Sequence, residues 1–322
     1  MKIISVILFL KLFLFSIPMF SQENLKVNDI YLNDGSFIRG EIIEKVENQY
    51  IRIKISGGNI VQFSMNEIKK VTAIIPCFNE ENTIAKCIES VLWADEILVV
   101  DSFSTDRTKE ICEKHDVRFI KQKFLGYKEQ KNFAMSKARF NYILSVDGDE
   151  ALSEQLKNSI LEIKNNWTLD GYYCNRLNNY CGQWIKYSDW YPDRKLRLFK
   201  KNTGEWKGIN PHDSFKLYHG RKSGRLKGDL LHWIYRDYKE HKEKVERFSS
   251  IAAQSYYDLG IKSSLVKIIW RPSWAFLKAY LFRRGFLDGK NGWLISKETF
   301  NVTYLKYTKL RKIWKTEKLI KK

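Results

Sequence analysis

Two carboxylates separated by one glycine stand at the end of an apolar run, in the segment Asn141-Tyr-Ile-Leu-Ser-Val-Asp-Gly-Asp-Glu150. In an extended segment, residues two apart point to the same side, so Asp147 and Asp149 can face one divalent cation. Gly148 would let a phosphate approach the backbone. The spacing suits a metal-bound nucleotide diphosphate, although a bare Asp-x-Asp is also typical of an acidic turn that ends a strand.

The elements that must position these carboxylates are indicated by the residues upstream. The apolar, β-branched run at 71–76 predicts a buried parallel strand, residues 83–92 predict a helix, and residues 96–100 predict a second strand. Glu80 and Asp101 follow these two strands. Acidic residues thus stand beyond the carboxyl ends of successive strands, the edge at which open α/β sheets bind ligands.

Three segments resemble the nucleotide-sugar motifs of glycosyltransferase family 2: Ala73-Ile-Ile-Pro-Cys-Phe-Asn-Glu-Glu81, Val100-Asp-Ser-Phe-Ser-Thr-Asp-Arg-Thr108 and Leu144-Ser-Val-Asp-Gly-Asp-Glu150. The segments 194–199, 206–208, 211–213 and 284–289 resemble the lipopolysaccharide-core glucosyltransferase branch of that family. The resemblance spans roughly residues 70–310. It implies a GT-A fold, which is an α/β fold with a Rossmann-like mixed sheet, and an inverting hexosyltransferase that uses Mg²⁺ or Mn²⁺.

The resemblance also implies roles for individual residues. Asp149 would bind the metal, which bridges the two phosphates of the donor, and Asp147 would share the metal or hold the ribose. Asp101 would accept a hydrogen bond from the uracil ring. The remaining residues of the implied nucleotide-sugar pocket are Pro76, Asn79, Glu80, Lys131, Asn132 and Gly148.

The resemblance makes Asp213 the catalytic base that takes a proton from the acceptor hydroxyl. Related branch members carry His-Glu where this chain has His212-Asp213, and a loop aspartate after a Pro-His turn is the alternative interpretation. Trp206 and His212 are assigned to the acceptor region. The guanidinium groups of Arg194 and Arg197 suit the pyrophosphate, or these arginines are solvated residues on an edge strand.

The cysteines and the other histidines show no metal-site spacing. The five cysteines include no CxxC pair, which indicates reduced and mostly buried thiols. Four histidines are interpreted as structural: His115, His219, His232 and His241.

Basic and aromatic residues are concentrated at the carboxyl end. Of the formal charge of +19, residues 261–322 contribute 16 Lys or Arg against three acidic residues. This composition predicts a helical, membrane-associating region at 241–322 that lies on an anionic surface, because charges interrupt every apolar run before about 18 residues accumulate. Nucleic-acid binding is not expected, since no recognition motif accompanies the charge. Helices packed on the catalytic domain with a solvated basic face are the other alternative.

The first seventy residues differ from the rest of the chain. Residues 1–21 resemble a signal peptide or an anchor, and residues 22–70 predict a small β-barrel-like domain that precedes a GT-A domain at 71–240. A secretory leader conflicts with a sugar-nucleotide enzyme, for which the cytoplasmic face of the inner membrane is the expected location. Met65 is therefore a candidate internal start.

The predicted function is transfer of a hexose, with glucose the first choice, from a UDP-sugar to a lipopolysaccharide-core or other lipid-linked acceptor. One alternative is a polyprenyl-phosphate glycosyltransferase, whose acceptor is a phosphate and needs no base at Asp213. The other is a non-catalytic, exported envelope-binding protein built on the same fold.

Overall fold

The computed structural model describes residues 27–31, 37–46, 50–64, 69–209 and 212–320. They form two compact units: the second begins at Lys69 and also includes Tyr31, and the other described residues before Lys69 belong to the first. The expected leader at 1–21, the candidate start Met65 and the Pro211 of the acceptor motif lie outside the described residues.

The first unit contains a four-stranded sheet in the order β1-β2-β3-β4. In β3, Ile51 and Ile53 are buried whereas Arg52 and Lys54 are exposed, as the alternation of a half-buried strand requires. The strands are β1 (Val27–Tyr31), β2 (Phe37–Val46), β3 (Tyr50–Ile55) and β4 (Ile60–Ser64).

The second unit is built on a mixed sheet in the order β7-β6-β5-β8-β12-β10-β15-β9, with β11 paired to β10. Its strands and those of a separate hairpin, β13–β14, are β5 (Val71–Cys77), β6 (Glu96–Asp101), β7 (Arg118–Lys121), β8 (Tyr142–Ser145), β9 (Glu150–Leu152), β10 (Gly171–Tyr180), β11 (Gln183–Ile185), β12 (Asp193–Lys200), β13 (Gly204–Ile209), β14 (His212–Leu217) and β15 (Ser223–Tyr235).

Along this order, β12 near the centre of the sheet and β9 at its edge run opposite to the other strands. β5 pairs in parallel with β6 and β8, while β12 runs antiparallel to its neighbours β8 and β10. β5 and β6 are buried along almost their whole length because helices cover both faces of a parallel sheet. The expected α/β class with a mixed sheet is confirmed.

Seven helices complete the described part of the second unit: α1 (Ile84–Ser90), α2 (Thr108–Cys112), α3 (Tyr127–Lys137), α4 (Glu154–Asn165), α5 (Tyr238–Asp258), α6 (Leu265–Leu277) and α7 (Gly289–Ile320). The side chain of Asp237 accepts a hydrogen bond from the backbone N–H of Glu240 at 2.8 Å and caps α5. The helical region therefore begins at Tyr238, slightly before the expected boundary at residue 241.

The helices α5, α6 and α7 pack around a small apolar core made by Ala253, Ile268, Tyr307 and Leu310. The turn between α6 and α7 is tight, since a Cβ on Gly285 would lie 2.7 Å from the carbonyl oxygen of Ala279. Within the described ranges, no helix combines the length and the apolar character that crossing a bilayer requires.

Candidate functional site

A cleft of about 800 Å³ opens at the carboxyl ends of β5 and β8. Its walls also come from α3, β12, the β13–β14 hairpin, β15 and α5. The cleft brings together most of the residues selected from the sequence, namely Pro76, Asn79, Glu80, Lys131, Asp147, Gly148, Asp149, Arg194, Arg197, Trp206 and Asp213.

The structure does not bring Asp101 and Asn132 into this cleft. Asp101 is fully buried, and its carboxylate accepts hydrogen bonds from the backbone N–H and the hydroxyl of Ser104. Its neighbour Ser102 lines the cleft instead. Asn132 fixes the hairpin, because its side chain exchanges hydrogen bonds of 3.0 and 3.1 Å with the backbone of Trp206.

Asp147 is held between two cations. Lys131 Nζ lies 3.1 Å from its Oδ1, and Arg197 Nη2 lies 2.9 Å from its Oδ2. Burial alone would raise the pKa of Asp147, but the charges of Arg197 and Lys131 outweigh burial and hold that pKa well below its ordinary value. Asp147 is therefore an ionised carboxylate whose oxygens already have cationic partners.

Asp149 faces a histidine instead. His232 Nε2 lies 3.2 Å from Asp149 Oδ2, and His232 Nδ1 lies 2.6 Å from the amide oxygen of Asn178. Because Asn178 offers an acceptor, Nδ1 donates to it, and this contact orients the ring so that Nε2 faces Asp149 in the cleft. A histidine ligand of a metal is commonly oriented in this way by its second nitrogen.

Glu80 adds a third acidic group near Asp149. Burial and the nearby Asp149 carboxylate raise the pKa of Glu80 to about 8. Burial is the larger cause of this shift. The Asp149 contribution shows that the two carboxylates repel each other, a repulsion that a divalent cation bound between them would relieve.

The donor set fits a substrate-bridging cation better than a closed metal site. Within the described ranges, no group of three His, Cys, Asp or Glu is arranged to hold a metal ion. Asp149 and His232 supply two donors, and a cation bound there would take its other ligands from substrate phosphates and water. The expectation that Asp147 shares the metal is less well supported, since Lys131 and Arg197 occupy its oxygens.

Gly148 is required by the packing of the protein itself. A Cβ at this position would lie 2.9 Å from Cys77 Cβ and 3.1 Å from Glu80 Cγ. The glycine lets the segment after β8 press against the end of β5, and its backbone N–H donates to Pro76 O at 3.2 Å. The sequence-based explanation, approach of a phosphate, does not account for this contact.

Asp213 enters the cleft from the hairpin. It lies in β14, opposite Gly208 of β13, so the interpretation as a loop residue is wrong. Its side chain is largely buried, and Lys131 Nζ lies 3.1 Å from Oδ2. Lys131 thus contacts both Asp147 and Asp213. The side chain of His212, which is assigned to the acceptor region, lies outside the described part of the structure.

The ring of Trp206 contacts the charged groups of Lys131 and Arg197. Its ring is buried and packs edge-on against Phe215 and Phe199. Lys131 Nζ lies 4.6 Å and the guanidinium carbon of Arg197 lies 5.8 Å from the centre of its rings. The indole is therefore a rigid cation–π platform.

The two arginines of β12 differ. β12 lies inside the sheet, between β8 and β10, so it is not an edge strand. Of the two arginines, only Arg194 is solvated, as the edge-strand interpretation expects. Arg197 is buried and also contacts Glu150 at 2.7 Å, whereas Arg194 is exposed on the cleft wall. The side chain of Arg197 holds the carboxylates of Asp147 and Glu150 in place, and Arg194 is the arginine that is accessible to a ligand.

These contacts form one continuous chain of alternating charges through the floor of the cleft. The nitrogen and oxygen atoms of each neighbouring pair lie 2.7–3.3 Å apart. Every carboxylate in this series lies between two cations, except Asp213, with which the series begins. The order is Asp213, Lys131, Asp147, Arg197, Glu150, Arg176, Asp193 and Lys195.

Sequence reasoning missed His232, Glu150 and Lys244. His232 lies inside β15, directly after Leu230 and Leu231, and a histidine within an apolar strand is a signal that could have singled it out. Glu150 belongs to the Asp147 motif itself. Lys244, which lines the cleft from α5, has no signal in the sequence that separates it from the other lysines.

Comparison with known proteins gives matches over most of the second unit. The family model described as "Glycosyl transferase family 2" matches residues 72–223. An uncharacterized glycosyltransferase of Rickettsia typhi is 31% identical over 264 residues, which cover 76% of this chain and 88% of that protein. The lipopolysaccharide core biosynthesis glycosyltransferase LpsC of Rhizobium meliloti is 28% identical over 221 residues, covering 67% of this chain and 82% of LpsC.

Among solved structures, a mannosyltransferase from Pyrobaculum calidifontis in complex with GDP-Man and Mn²⁺ is similar to this chain. The two are 15% identical with a TM-score of 0.44, and the alignment covers 75% of this chain and 87% of that one. Similarity at this level assigns neither donor nor metal to this protein.

Proposed function

Because the chain belongs to glycosyltransferase family 2, we propose that it is an inverting, metal-dependent enzyme that transfers a hexose from a UDP-sugar to a lipopolysaccharide-core or other lipid-linked acceptor. Family membership makes the chain a transferase with a GT-A fold, so the alternative of a non-catalytic binding protein is not supported. The likeness to LpsC supports the choice of acceptor. UDP and glucose are the first choices to test.

One observation carries this proposal: a single cleft contains a metal-ligand pair and a separate carboxylate that can act as a base. Asp149 and His232 would hold the divalent cation, which when bound neutralises charge on the diphosphate leaving group. The imidazole favours Mn²⁺ over Mg²⁺, since Mg²⁺ prefers oxygen ligands. Lys244, which lies near Asp149 and Glu80, adds a cation beside the diphosphate.

Asp213 would perform the proton transfer. The acceptor oxygen attacks the anomeric carbon from the face opposite the diphosphate, its proton passes to the Asp213 carboxylate, and the electron pair of the broken bond leaves with the diphosphate. Lys131 holds Asp213 and Asp147 at fixed positions on the Trp206 platform. The base is thus preorganised relative to the donor site before an acceptor arrives.

The test is a donor screen with the full-length protein. Purified enzyme is incubated with a panel of UDP- and GDP-sugars and Mn²⁺ or Mg²⁺, and release of nucleotide diphosphate is measured in the presence of a lipopolysaccharide-core acceptor. We expect release with a UDP-hexose, its loss on chelation and its loss in Asp149→Asn. Release that is insensitive to chelation would contradict the metal assignment.

Polyprenyl phosphate is a second candidate acceptor. Exposed cations on the cleft wall, Arg194 and Lys216, suit a phosphate, and a phosphate oxygen needs no base. Asp213→Asn separates the two: a large fall in turnover supports a hydroxyl acceptor, and near-normal turnover supports the phosphate. Since sugar nucleotides are cytoplasmic, the proposed location is the cytoplasmic face of the inner membrane.

A further inference from the structure

One side of α6 and of the turn after it is apolar and exposed to solvent. Val266, Ile269 and Trp270 of α6 are 72%, 68% and 63% exposed, and Phe282, just after the helix, is 68% exposed. Leu277 and Leu281 are exposed on the same stretch. We refer to these six residues as the outer face.

The outer face is a second apolar side on a helix that already has one. Ile268 and Pro272 form the buried side of α6, where Ile268 packs with Tyr307 and Leu310 of α7. Residues 266, 269, 270 and 277 have the spacing of a single helix face, opposite to the buried side. A surface helix of a globular protein is ordinarily polar there, and a contiguous exposed apolar patch marks an interaction surface.

The rim of the outer face is positively charged. Between residues 265 and 297 the chain has seven basic residues, Lys267, Arg271, Lys278, Arg283, Arg284, Lys290 and Lys297, and a single acidic residue, Asp288. Asp288 is buried and accepts hydrogen bonds from the backbone N–H groups of Lys186 and Tyr187. Asp288 therefore does not reduce the positive potential of the exposed rim. Asp189 pairs with Lys278 and Arg283, and the other five cations leave the rim positively charged.

We propose that the outer face docks on an anionic lipid bilayer and lies in its headgroup region. Aromatic and aliphatic side chains enter the boundary of the acyl chains, and the surrounding cations meet lipid phosphates. A second copy of the chain is a poorer partner, since a symmetric dimer would bring two basic rims together. Nucleic acid would pair with the cations but would leave the aliphatic side chains without a partner.

The outer face is joined firmly to the catalytic unit. Lys278 and Arg283 lie 2.5 and 3.0 Å from the carboxylate of Asp189, in the segment that follows β11. The backbone N–H of Ser188 donates to Arg283 O at 3.1 Å. Docking of the outer face would therefore set how the catalytic unit is oriented on the membrane, which is independent of the sugar that it transfers.

The experiment is hydroxyl-radical footprinting of the full-length protein, read by mass spectrometry. The protein is oxidised alone, with phosphatidylcholine vesicles, and with vesicles that contain about one third phosphatidylglycerol. We expect the oxidation rates of Trp270 and Phe282 to fall at least about fivefold with the anionic vesicles only. Leu92 and Phe103, exposed elsewhere on the catalytic unit, should keep their rates.

Equal rates with and without anionic vesicles would overturn the proposal. Protection that needs no vesicles and increases with protein concentration would also overturn it, because the outer face would then bind a second copy. Equal protection by neutral and anionic vesicles would overturn the role of the basic rim.

A double variant tests whether the outer face itself is responsible for the protection by vesicles. In Ile269→Ser/Trp270→Ser, we expect the protection of Phe282 by anionic vesicles to be lost, whereas the matched variant Leu92→Ser should keep it. Because the apolar segment at 3–20 is present in both variants, its own affinity for lipid does not affect this readout. Retained protection of Phe282 in the double variant would contradict the proposal.

Discussion

The cleft and the outer face of α6 both combine aromatic rings with basic residues, but in opposite arrangements. In the cleft, Arg197 is buried, its charge is paired with Asp147 and Glu150, and Trp206 packs beneath it. On the outer face, the rings of Trp270 and Phe282 are exposed within a rim where basic residues outnumber acidic ones.

The difference shows how the same residue types serve two purposes. Separating buried ion pairs costs free energy, so these charges hold the geometry of a site before a substrate binds. Exposed rings, and cations that outnumber their acidic neighbours, remain available to bind a partner outside the protein. The following predictions, from the largest expected effect to the smallest, test this contrast.

Removing the metal-ligand carboxylate should have the largest effect. Asp149→Asn takes away the anionic donor beside His232, and we expect turnover to fall about 10³-fold, since a bound metal supplies several kcal/mol of transition-state stabilisation. The measurement is nucleotide-diphosphate release with Mn²⁺. Asp116→Asn, an exposed carboxylate in the turn after α2, is the matched control and should retain activity. Comparable losses in both variants would remove the metal assignment.

Removing the central cation of the cleft should destabilise the fold. Arg197→Met leaves the buried Glu150 and the half-buried Asp147 without that partner, and we expect the free energy of unfolding to fall by about 3 kcal/mol in urea titrations. Arg194→Met, on the same strand but exposed, should change it by less than about 0.5 kcal/mol. If the two variants lose the same amount, the charges of the cleft are not the fixed framework described above.

Stability should depend on pH through His241, which packs against Tyr180 of β10 and Tyr235 of β15. Burial lowers the pKa of His241 to about 4, and the hydroxyl oxygen of Tyr180 lies 2.9 Å from its Nδ1. Because the folded pKa is lower than the unfolded value of 6.5, the stabilisation is complete above about pH 6.5 and is lost as the pH falls towards 4. Between pH 7 and pH 5 the contribution is about 2 kcal/mol.

This pH effect is measured by urea unfolding at pH 7 and pH 5. In His241→Phe, the difference in the free energy of unfolding between pH 7 and pH 5 should be smaller by about 2 kcal/mol than in the unchanged protein. In His219→Phe, at an exposed turn, this difference should be unchanged. An unchanged pH dependence in His241→Phe would contradict the assignment.

Polar substitutions on the outer face should have the smallest effect on stability. Val266→Ser and Trp270→Ser remove side chains that are already in water, so the free energy of unfolding should change by less than about 0.5 kcal/mol. Leu310→Ala, in the core beneath α6, should cost about 3 kcal/mol. A large loss in Trp270→Ser would show that the outer face is part of the core and would remove the contrast with the cleft.

The sequence indicated the elements of the catalytic unit because their signals are local. Apolar β-branched runs predicted β5 and β6, and the motif order predicted strand-end carboxylates that the structure gathers in one cleft, Asp101 excepted. The fold class followed from the same motifs, and the comparisons confirm it. The four histidines were interpreted by their spacing along the chain, which is the reason that His232 was overlooked.

What the sequence determined by itself is which residue types stand at the ends of strands and which helices carry apolar or basic faces. What only the tertiary structure decided is how the carboxylates divide their tasks: Asp147 is paired with Arg197, fifty positions along the chain, and Asp149 with His232, eighty-three positions along the chain. The physical reason is that a carboxylate takes its role from its neighbours in space. Those neighbours come from strands that are brought together only when the mixed sheet is assembled.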